Sequence, residues 1–303
     1  MLALTPGAAR QFTANITANG AFAVSQADLQ GITSFGGGNP DLQEEKGDSF
    51  TVGVVINPKS IAALRNLTLT VDYFNIRIKD AIVSTPLQFI LDQCYNQSNT
   101  ALCALVKRRP GAVGANSSGS LDEVNTSPSN SGGTKTSGID TTIAWRQPLA
   151  GIGVPGTFNL KVAYTHVLTG FSIPLVAQPS RDEFAGEIGA ATDRFTANVG
   201  LDLDDVGINF TGTYIGASYL DDQTTSPDPR KSAAFRVSPQ FYLDGQIRFK
   251  VASKFEFYVG ADNILDNKPP YLADIGASAG QDTDSGTYDA LGRRFYAGAR
   301  VKF

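Results

Sequence analysis

Nine stretches of this sequence alternate apolar and polar side chains with a period of two, and this pattern constrains the fold most. In GRRFYAGARVKF, at the end of the chain, Phe295 and Phe303 share one side while Arg300 lies on the other. A period of two is that of a β-strand, and helical periodicity is nearly absent. The predicted strands lie near residues 49–56, 67–79, 137–146, 157–166, 194–202, 206–215, 240–249, 254–262 and 292–303.

The apolar side of each predicted strand carries no charged residue, whereas the opposite side carries charges freely. In LTLTVDYFNIRIK, for example, Leu69 and Val71 share a side that excludes Asp72. A lipid-facing surface requires this exclusion, because an Arg or Lys at the middle of a bilayer costs roughly 2–4 kcal/mol. A β-sandwich with a buried core would show the same alternation. Alternation alone therefore does not separate a membrane barrel from a soluble sandwich.

Aromatic residues lie towards the ends of the apolar sides. Rings at both ends of an apolar band are typical of the interfacial girdles of membrane barrels, whereas a packed core would tend to place them centrally. This position favours the membrane interpretation. The predicted aromatic girdle consists of Tyr73, Trp145, Phe158, Tyr164, Tyr214 and Phe255.

The connections between the predicted strands alternate in length. The short links are residues 57–66, 147–156, 202–205 and 250–253, and the long ones are 80–135, 167–192, 216–239 and 263–290. In an antiparallel meander, this order places all short links at one end of the sheet and all long ones at the other. Outer-membrane barrels have short periplasmic turns and long outer loops. The last strand would then end at the periplasmic rim.

Composition argues against several classes of protein. The net charge is −4 and no basic stripe appears, so we expect no nucleic-acid partner. No apolar run reaches the ~18–20 residues of a membrane helix. The first residues, MLALTPGAARQF, lack the regions of a signal peptide, so either the chain is cytosolic or its beginning is missing. No nucleophile–base set or paired carboxylates stand out, so we expect no enzyme and no cofactor.

Three motifs with a possible chemical role have simpler interpretations. GIGVPG at 151–156 fits a dinucleotide fingerprint, but an alternating strand follows where a phosphate-binding helix should begin, which favours a tight turn. Acidic residues at 202–205, 221–222 and 282–284 could bind Ca²⁺, yet none has a full loop signature. His166 is the only histidine, so zinc is not expected and a wall or loop position is favoured.

The two cysteines, Cys94 and Cys103, lie close together in DQCYNQSNTALCAL. This spacing suits a loop disulfide in an oxidising compartment. The alternative is a pair of free thiols.

Several stretches stand out along the chain: GGGNPDLQEEKGDSFTVGVV (36–55), LTVDYFNIRIKDAI (69–82), the Cys94–Cys103 loop with the TSGIDTTIAW that follows it, GADNILDNKPP (260–270) and YDALGRRFYAGARVKF (288–303). They resemble the corresponding stretches of the TonB-dependent receptors, the active transporters of Gram-negative outer membranes. The resemblance implies an all-β fold, an antiparallel meander of about nine long strands. These strands would be the C-terminal part of a 22-stranded transmembrane β-barrel that is incomplete in this chain.

The same resemblance implies the roles of the segments. Residues 1–46 would be an irregular extracellular loop segment, and 47–303 the C-terminal barrel portion, with the plug domain and the TonB box absent. Phe295 and Phe303 in the last strand would form the signal that the barrel-assembly machinery reads. The other partners implied are outer-membrane lipid and the TonB complex, which acts through the missing plug and TonB box.

The implied function is uptake of a scarce nutrient, such as siderophore-bound iron, cobalamin or an oligosaccharide, across the cell outer membrane with energy from TonB. The barrel itself would do no covalent chemistry. Two alternatives stay open: a passive porin-like channel, and a secreted β-sandwich binding module. The long connections are rich in Asn, Ser, Thr and Gly and could contact a small-molecule ligand, but their composition does not single out the contacting residues.

Overall fold

The computed structural model describes residues 27–29, 33–130, 132–173, 181–222, 229–251, 254–272 and 282–301. The strands are β1 (Thr33–Phe35), β2 (Lys46–Ile56), β3 (Leu67–Lys79), β4 (Ile82–Val83), β5 (Val106–Arg108), β6 (Leu121–Asn125), β7 (Ser129–Asn130), β8 (Gly133–Pro148), β9 (Gly156–Ile173), β10 (Asp193–Leu203), β11 (Val206–Ile215), β12 (Ser218–Tyr219), β13 (Arg236–Val237), β14 (Gln240–Val251), β15 (Phe255–Asp262) and β16 (Arg294–Val301). Two α-helices, α1 (Leu87–Asn96) and α2 (Thr100–Cys103), lie between β4 and β5. Short 3₁₀ turns cover Ala27–Leu29, Ala62–Leu64, Ala150–Ile152, Pro229–Lys231 and Ala233–Phe235.

The long strands form one nine-stranded antiparallel sheet in the order β16-β15-β14-β11-β10-β9-β8-β3-β2. The prediction of a meander of about nine long strands is therefore confirmed. Neighbours along the chain pair with each other, so the short and long connections alternate around the sheet. We call its two ends the short-link end and the long-connection end. Towards the long-connection end, β8 and β9 extend beyond their predicted bounds of 137–146 and 157–166.

The register of the sheet places apolar residues opposite apolar residues on one face. Ile247 of β14 pairs with Val259 of β15, and Phe249 pairs with Phe257. A slip of one residue would turn every one of these side chains to the polar face, so the pattern fixes the register. The opposite face carries the polar residues, including Asp244, Gln246 and Arg248 of β14.

The apolar face is not covered by protein at these positions. Phe210, Phe249, Phe257 and Val259 are between 41% and 50% exposed. A β-sandwich would bury such a row of side chains in its core. An apolar face left open to the surroundings is what a lipid-facing sheet requires.

The chain divides into two compact units, and each has its own buried cluster. Unit 1 comprises Met1–Gly47, Ile78–Thr134 and Ser172–Asp182, and unit 2 comprises Asp48–Arg77, Lys135–Phe171 and Glu183–Phe303. In unit 1, the amphipathic helix α1 packs with α2 and the three-stranded sheet β1-β6-β5. The largest fully buried side chains of this cluster are Ile90, Leu91, Leu102, Leu121 and Val124.

Unit 1 contains more regular structure than the sequence patterns predicted. β1 pairs in parallel with β6, although it lies within the stretch predicted to be irregular. Helix α2 begins after Asn99, whose side-chain oxygen accepts hydrogen bonds from the backbone N–H groups of Ala101 and Leu102. The connection between β3 and β8 is therefore a folded segment.

In unit 2, the connections at the long-connection end fold onto the strand ends. The short strands β12 and β13 pair with each other. The buried cluster there consists of Ala191, Ile215, Leu220, Val237, Tyr242, Leu272 and Tyr288. In the ranges that the structure describes, no helix combines the length and apolarity required to cross a membrane.

Candidate functional site

A cavity with a largely apolar lining lies at the long-connection end of unit 2. This loop cavity has a volume of about 480 Å³ and is lined by residues 234–238 and 268–272 together with Leu220 and Gln240. One wall is the segment that leads into and forms β13, and the other follows β15. Volumes of this order are typical of small-molecule sites.

The wall that follows β15 is held in place by a buried asparagine. Asn263 is 1% exposed and adopts a left-handed backbone conformation, with φ 48°. Its side-chain Nδ2 donates to the carbonyl oxygen of Asn267 at 2.9 Å and to Asp289 Oδ2 at 2.9 Å. The backbone N–H of Asn267 donates to Asn263 Oδ1 at 3.0 Å. Asn can occupy this backbone region because its short polar side chain bonds locally.

The same turn is tied to the sheet beneath it. The backbone N–H of Asn263 donates to Asp244 Oδ1 at 2.8 Å, and Asn267 Nδ2 donates to the carbonyl oxygen of Phe241. Beyond the turn, Pro269 and Pro270 each have a fixed φ angle. These hydrogen bonds and the two prolines therefore restrict the conformations of the cavity wall.

The described lining of the loop cavity contains two cations and no carboxylate. The cations are Arg236 and Lys268. Within the described part of the chain, the Arg236 side chain makes no ion pair, whereas Lys268 Nζ lies 3.1 Å from Asp266 Oδ2. Asp266 also faces Arg293, whose Nη2 is 3.9 Å from Oδ2. The hydrogen bond from Lys268, followed by that from the Arg293 backbone, lowers the pKa of Asp266. Among these four side chains three are positively charged and one is negatively charged, and Asp282 lies close by, because its carbonyl oxygen accepts a hydrogen bond from the backbone N–H of Leu272.

A second cavity, of about 390 Å³, lies on the polar face of the sheet and is lined by β9, β10, β11, β14 and β16 residues. It forms beside Gly200 and Gly207, which have no side chains to fill it. Arg248 crosses it and its Nη2 lies 2.6 Å from Asp202 Oδ1. Asn159 Nδ2 donates to the second oxygen of Asp202 at 3.0 Å. The charges on this wall are therefore largely paired with each other.

A buried acid also lies among the connections of unit 2. Glu187 is 7% exposed, and its Oε1 accepts from the backbone N–H of Asp222 at 3.0 Å. Arg230 Nη2 lies 3.3 Å from the same oxygen, and Nη1 pairs with Asp222. Burial raises the pKa of Glu187 to about 7, with Asp221 and Asp222 adding to the rise and the Asp222 N–H and Arg230 opposing it. Arg230, which lies between β11 and β14, is thereby bonded to the connection between β9 and β10.

The residues singled out from the sequence are distributed over both units. Cys94 and Cys103 form a disulfide in unit 1. The chain has no other cysteine. On β16, Phe295 is 78% exposed, whereas Phe303 lies outside the described residues. The role of this last strand in assembly stays a prediction.

Most residues of the predicted girdle occupy two levels of the sheet. Trp145, Phe158 and Phe255 lie near the short-link end, where the rings of Trp145 and Phe158 meet edge to face at 5.5 Å. Tyr214 stacks on Phe195 at 5.1 Å in the opposite part of the sheet. Tyr164 lies at the level of Tyr214, because both residues pair with Phe195, although β9 continues well beyond it. Tyr73 lies in the middle of β3 and belongs to neither level. Their position relative to a bilayer stays a prediction.

The remaining motifs have structural roles. His166 Nδ1 lies 2.7 Å from Asp193 Oδ1 on the neighbouring strand. GIGVPG runs through a 3₁₀ turn, with Gly153 at φ 77°, directly into β9. The sequence patterns did not identify Arg236, Lys268 or Tyr271 as cavity residues. The only local indication in the sequence was KPPY at 268–271, where a tyrosine directly follows two prolines of restricted conformation.

An antiparallel sheet with one open apolar face, one charged face and long folded connections at one end is the architecture of an incomplete β-barrel of the outer-membrane type. The chain belongs to the TonB-dependent receptors, because a family model described as "TonB dependent receptor-like, beta-barrel" matches residues 4–264. This family consists of outer-membrane transport receptors and not of enzymes. The resemblance seen in the sequence is thus confirmed.

Solved structures with a similar fold include two receptors and a transporter. The ferric enterobactin receptor PfeA of Pseudomonas aeruginosa, as a mutant in complex with enterobactin, has a TM-score of 0.53 and 17% identity, over 88% of this chain and 32% of PfeA. The siderophore receptor PirA of Acinetobacter baumannii has a TM-score of 0.52 and 15% identity, over 88% of this chain and 33% of PirA. The iron transporter FrpB of Neisseria meningitidis has a TM-score of 0.52 and 14% identity, over 91% of this chain and 34% of FrpB.

These identities support a shared fold and nothing finer. The chain spans about a third of the length of the solved structures it matches. Comparison with curated proteins found no match.

Proposed function

We propose that this chain is the C-terminal barrel portion of a TonB-dependent receptor in the cell outer membrane that takes up a scarce nutrient. The family match over residues 4–264 is the observation that carries this proposal. Siderophore-bound iron is the favoured cargo among siderophore, cobalamin and oligosaccharide. This preference comes from the solved structures of similar fold, which are a ferric enterobactin receptor, a siderophore receptor and an iron transporter.

In this proposal, the two faces of the sheet have different tasks. The apolar face contacts lipid, and the polar face, with Arg248 and Asp202 paired across it, lines the route of the solute. The connections at the long-connection end meet the nutrient first. Energy arrives from the TonB complex through a plug domain and a TonB box, which the family places before the barrel. The barrel-assembly machinery reads the last strand, including Phe295 and Phe303.

The test is uptake of radioactive iron by cells that express the full-length protein, in matched strains with and without TonB. We expect uptake at low external iron only in the strain with TonB. Uptake that is independent of TonB and proportional to the external concentration would indicate a passive porin-like channel. Recovery of the protein in the soluble fraction without detergent would instead indicate a secreted β-sandwich.

A further inference from the structure

We propose that the loop cavity binds an anionic small molecule with a flat apolar face, and that Arg236 and Tyr271 are its main contacts. The proposal deepens the proposed function and rests on it, because it names the chemical class of the captured ligand. It is carried by the charge, the apolar walls and the restricted conformation of one cavity.

The positive charge of the cavity favours a negatively charged ligand. Among the residues that the structure describes, its lining contains Arg236 and Lys268 but no Asp or Glu. Arg236 is exposed, and its guanidinium has no carboxylate partner in the part of the chain that the structure describes. Without a carboxylate partner, the guanidinium can donate its N–H hydrogen bonds to a carboxylate, sulfonate or phenolate of a ligand. Lys268 shares Asp266 with Arg293, so the second cation is only partly neutralised.

The walls of the cavity select the shape of the ligand. Phe235, Pro269, Pro270 and Leu272 provide apolar surface, and Tyr271 stands beside them with 73% of its surface exposed. An aromatic ring so exposed next to two prolines offers a flat stacking surface at low entropic cost. The volume of about 480 Å³ admits a ligand of one or two fused rings with substituents.

The cavity is also joined to the polar face of the sheet. Gln240 lines it and lies on the same face of β14 as Asp244 and Arg248, because its position differs from theirs by an even number. The Asn263 turn holds the opposite wall through bonds to Asp244 and Asp289. A ligand in the cavity therefore borders the surface that the proposed function assigns to the solute route.

The experiment measures binding of 2-naphthoate to the full-length receptor in lipid nanodiscs by titration calorimetry. The matched probe is 2-naphthylmethylammonium, which has the same ring and the opposite charge. We expect naphthoate to bind and the ammonium probe to bind at least tenfold more weakly. Arg236→Gln should weaken naphthoate binding about tenfold, the loss of one charged hydrogen-bonded contact. Arg236→Lys should restore part of the affinity.

Two further variants separate the contacts from general effects. Tyr271→Ala should weaken naphthoate binding about fivefold through the lost ring contact, whereas Tyr271→Phe should leave it unchanged. Arg65→Gln makes the same change of charge in the link between β2 and β3, at the short-link end, and should have no effect. Equal binding of the two probes, undetectable naphthoate binding, or an Arg236→Gln variant with unchanged affinity would each overturn the proposal.

The binding experiment and the uptake experiment can fail independently of each other. Charge-selective naphthoate binding without TonB-dependent iron uptake would refute the proposed function and leave the binding site standing. TonB-dependent uptake by a receptor that binds both probes equally would refute the binding site alone.

Discussion

At the scale of single residues, two reciprocal tyrosine–glycine pairs join the last two strands. Tyr258 of β15 lies opposite Gly298 of β16, and Gly260 lies opposite Tyr296. A Cβ atom on Gly298 would lie 2.3 Å from Cζ of Tyr258, and one on Gly260 would lie 2.4 Å from Cζ of Tyr296. Each ring thus covers the glycine of the other strand, an arrangement that compensates for the weak strand preference of glycine.

Gly298→Ala should destabilise the folded barrel by about 1–2 kcal/mol, because the new methyl group displaces the Tyr258 ring. The measurement is urea unfolding of the full-length protein in lipid. In a Tyr258→Ala background the same substitution should have little effect, so a double-mutant cycle isolates the pair. Gly151→Ala, in open space, is the control. Additive effects of the two substitutions would contradict the predicted contact.

Glu187 should make its connection less stable as the pH rises. Its pKa is raised to about 7 from an unfolded value near 4.5, so the stabilising protonated form is fully present below 4.5 and lost as the pH passes 7. We expect amide protection of residues 183–192 to fall by the equivalent of about 2–3 kcal/mol between pH 4.5 and 8. Hydrogen exchange, as protection factors, measures this change.

Glu187→Gln should abolish most of that pH dependence, since glutamine accepts the same hydrogen bond without a charge. Asp204→Asn, in the link between β10 and β11, is the control and should leave the pH dependence intact. A Gln variant with the full pH dependence would assign the effect to another group.

At the scale of elements, the sequence predicted the strands well and the connections poorly. Alternation located all nine long strands, because one face of each strand must be uniformly apolar. It missed their full length in β8 and β9, since backbone hydrogen bonding continues where the side-chain pattern ends. It missed the fold between β3 and β8, because the buried cluster there gathers residues that are separated in the sequence, such as Phe89 and Val124.

The site was less predictable than the sheet, for a similar reason. Arg236 and Tyr271 lie on different connections, and only the folded arrangement around Asn263 makes them walls of one cavity. No local pattern in the sequence relates them. The sequence indicated ligand-contacting loops in general and could not select residues within them.

The disulfide should stabilise the helical part of unit 1 and leave the sheet unaffected. Cys94 of α1 is bonded to Cys103, the last residue of α2, and closing a loop of this length stabilises the folded state by about 2–3 kcal/mol. Replacing both cysteines with alanine should therefore lower the amide protection of residues 87–125, as measured by hydrogen exchange. Protection in β14 and β15 serves as the internal control. An equal loss in those strands would indicate that the bond supports the whole chain.

At the scale of the whole molecule, the two ends of the sheet differ. The short-link end has links such as 204–205 between β10 and β11, whereas the other end has folded connections with cavities and buried clusters. If the proposed orientation holds, only the long-connection end faces the cell exterior.

Labelling of intact cells with a membrane-impermeant maleimide tests this orientation. Leu291→Cys, on the connection between β15 and β16, should react, because Leu291 is 73% exposed and faces outside in the proposal. Ile152→Cys, 76% exposed on the link between β8 and β9, should react only after the cells are lysed. Reaction of Ile152→Cys alone in intact cells would invert the orientation.

The edges of the sheet predict how the chain behaves by itself. Among the described strands, β2 and β16 are the end members of the nine-stranded order. In lipid, each unpaired backbone group at such an edge costs several kcal/mol. The chain of residues 1–303 produced alone should therefore aggregate or remain an open sheet in detergent. A detergent-stable monomer with heat-modifiable mobility on gels would contradict this.

The tyrosine–glycine pairs also affect how relatives of this chain can diverge. Each pair requires one ring and one vacant position, but neither strand has to supply the ring. Tyr258 and Gly298 could therefore trade places without disturbing the ladder, while a change at one of them alone would be selected against. In diverging lineages the two positions should mutate jointly, and such covariation would reveal the register of the last hairpin from sequences alone.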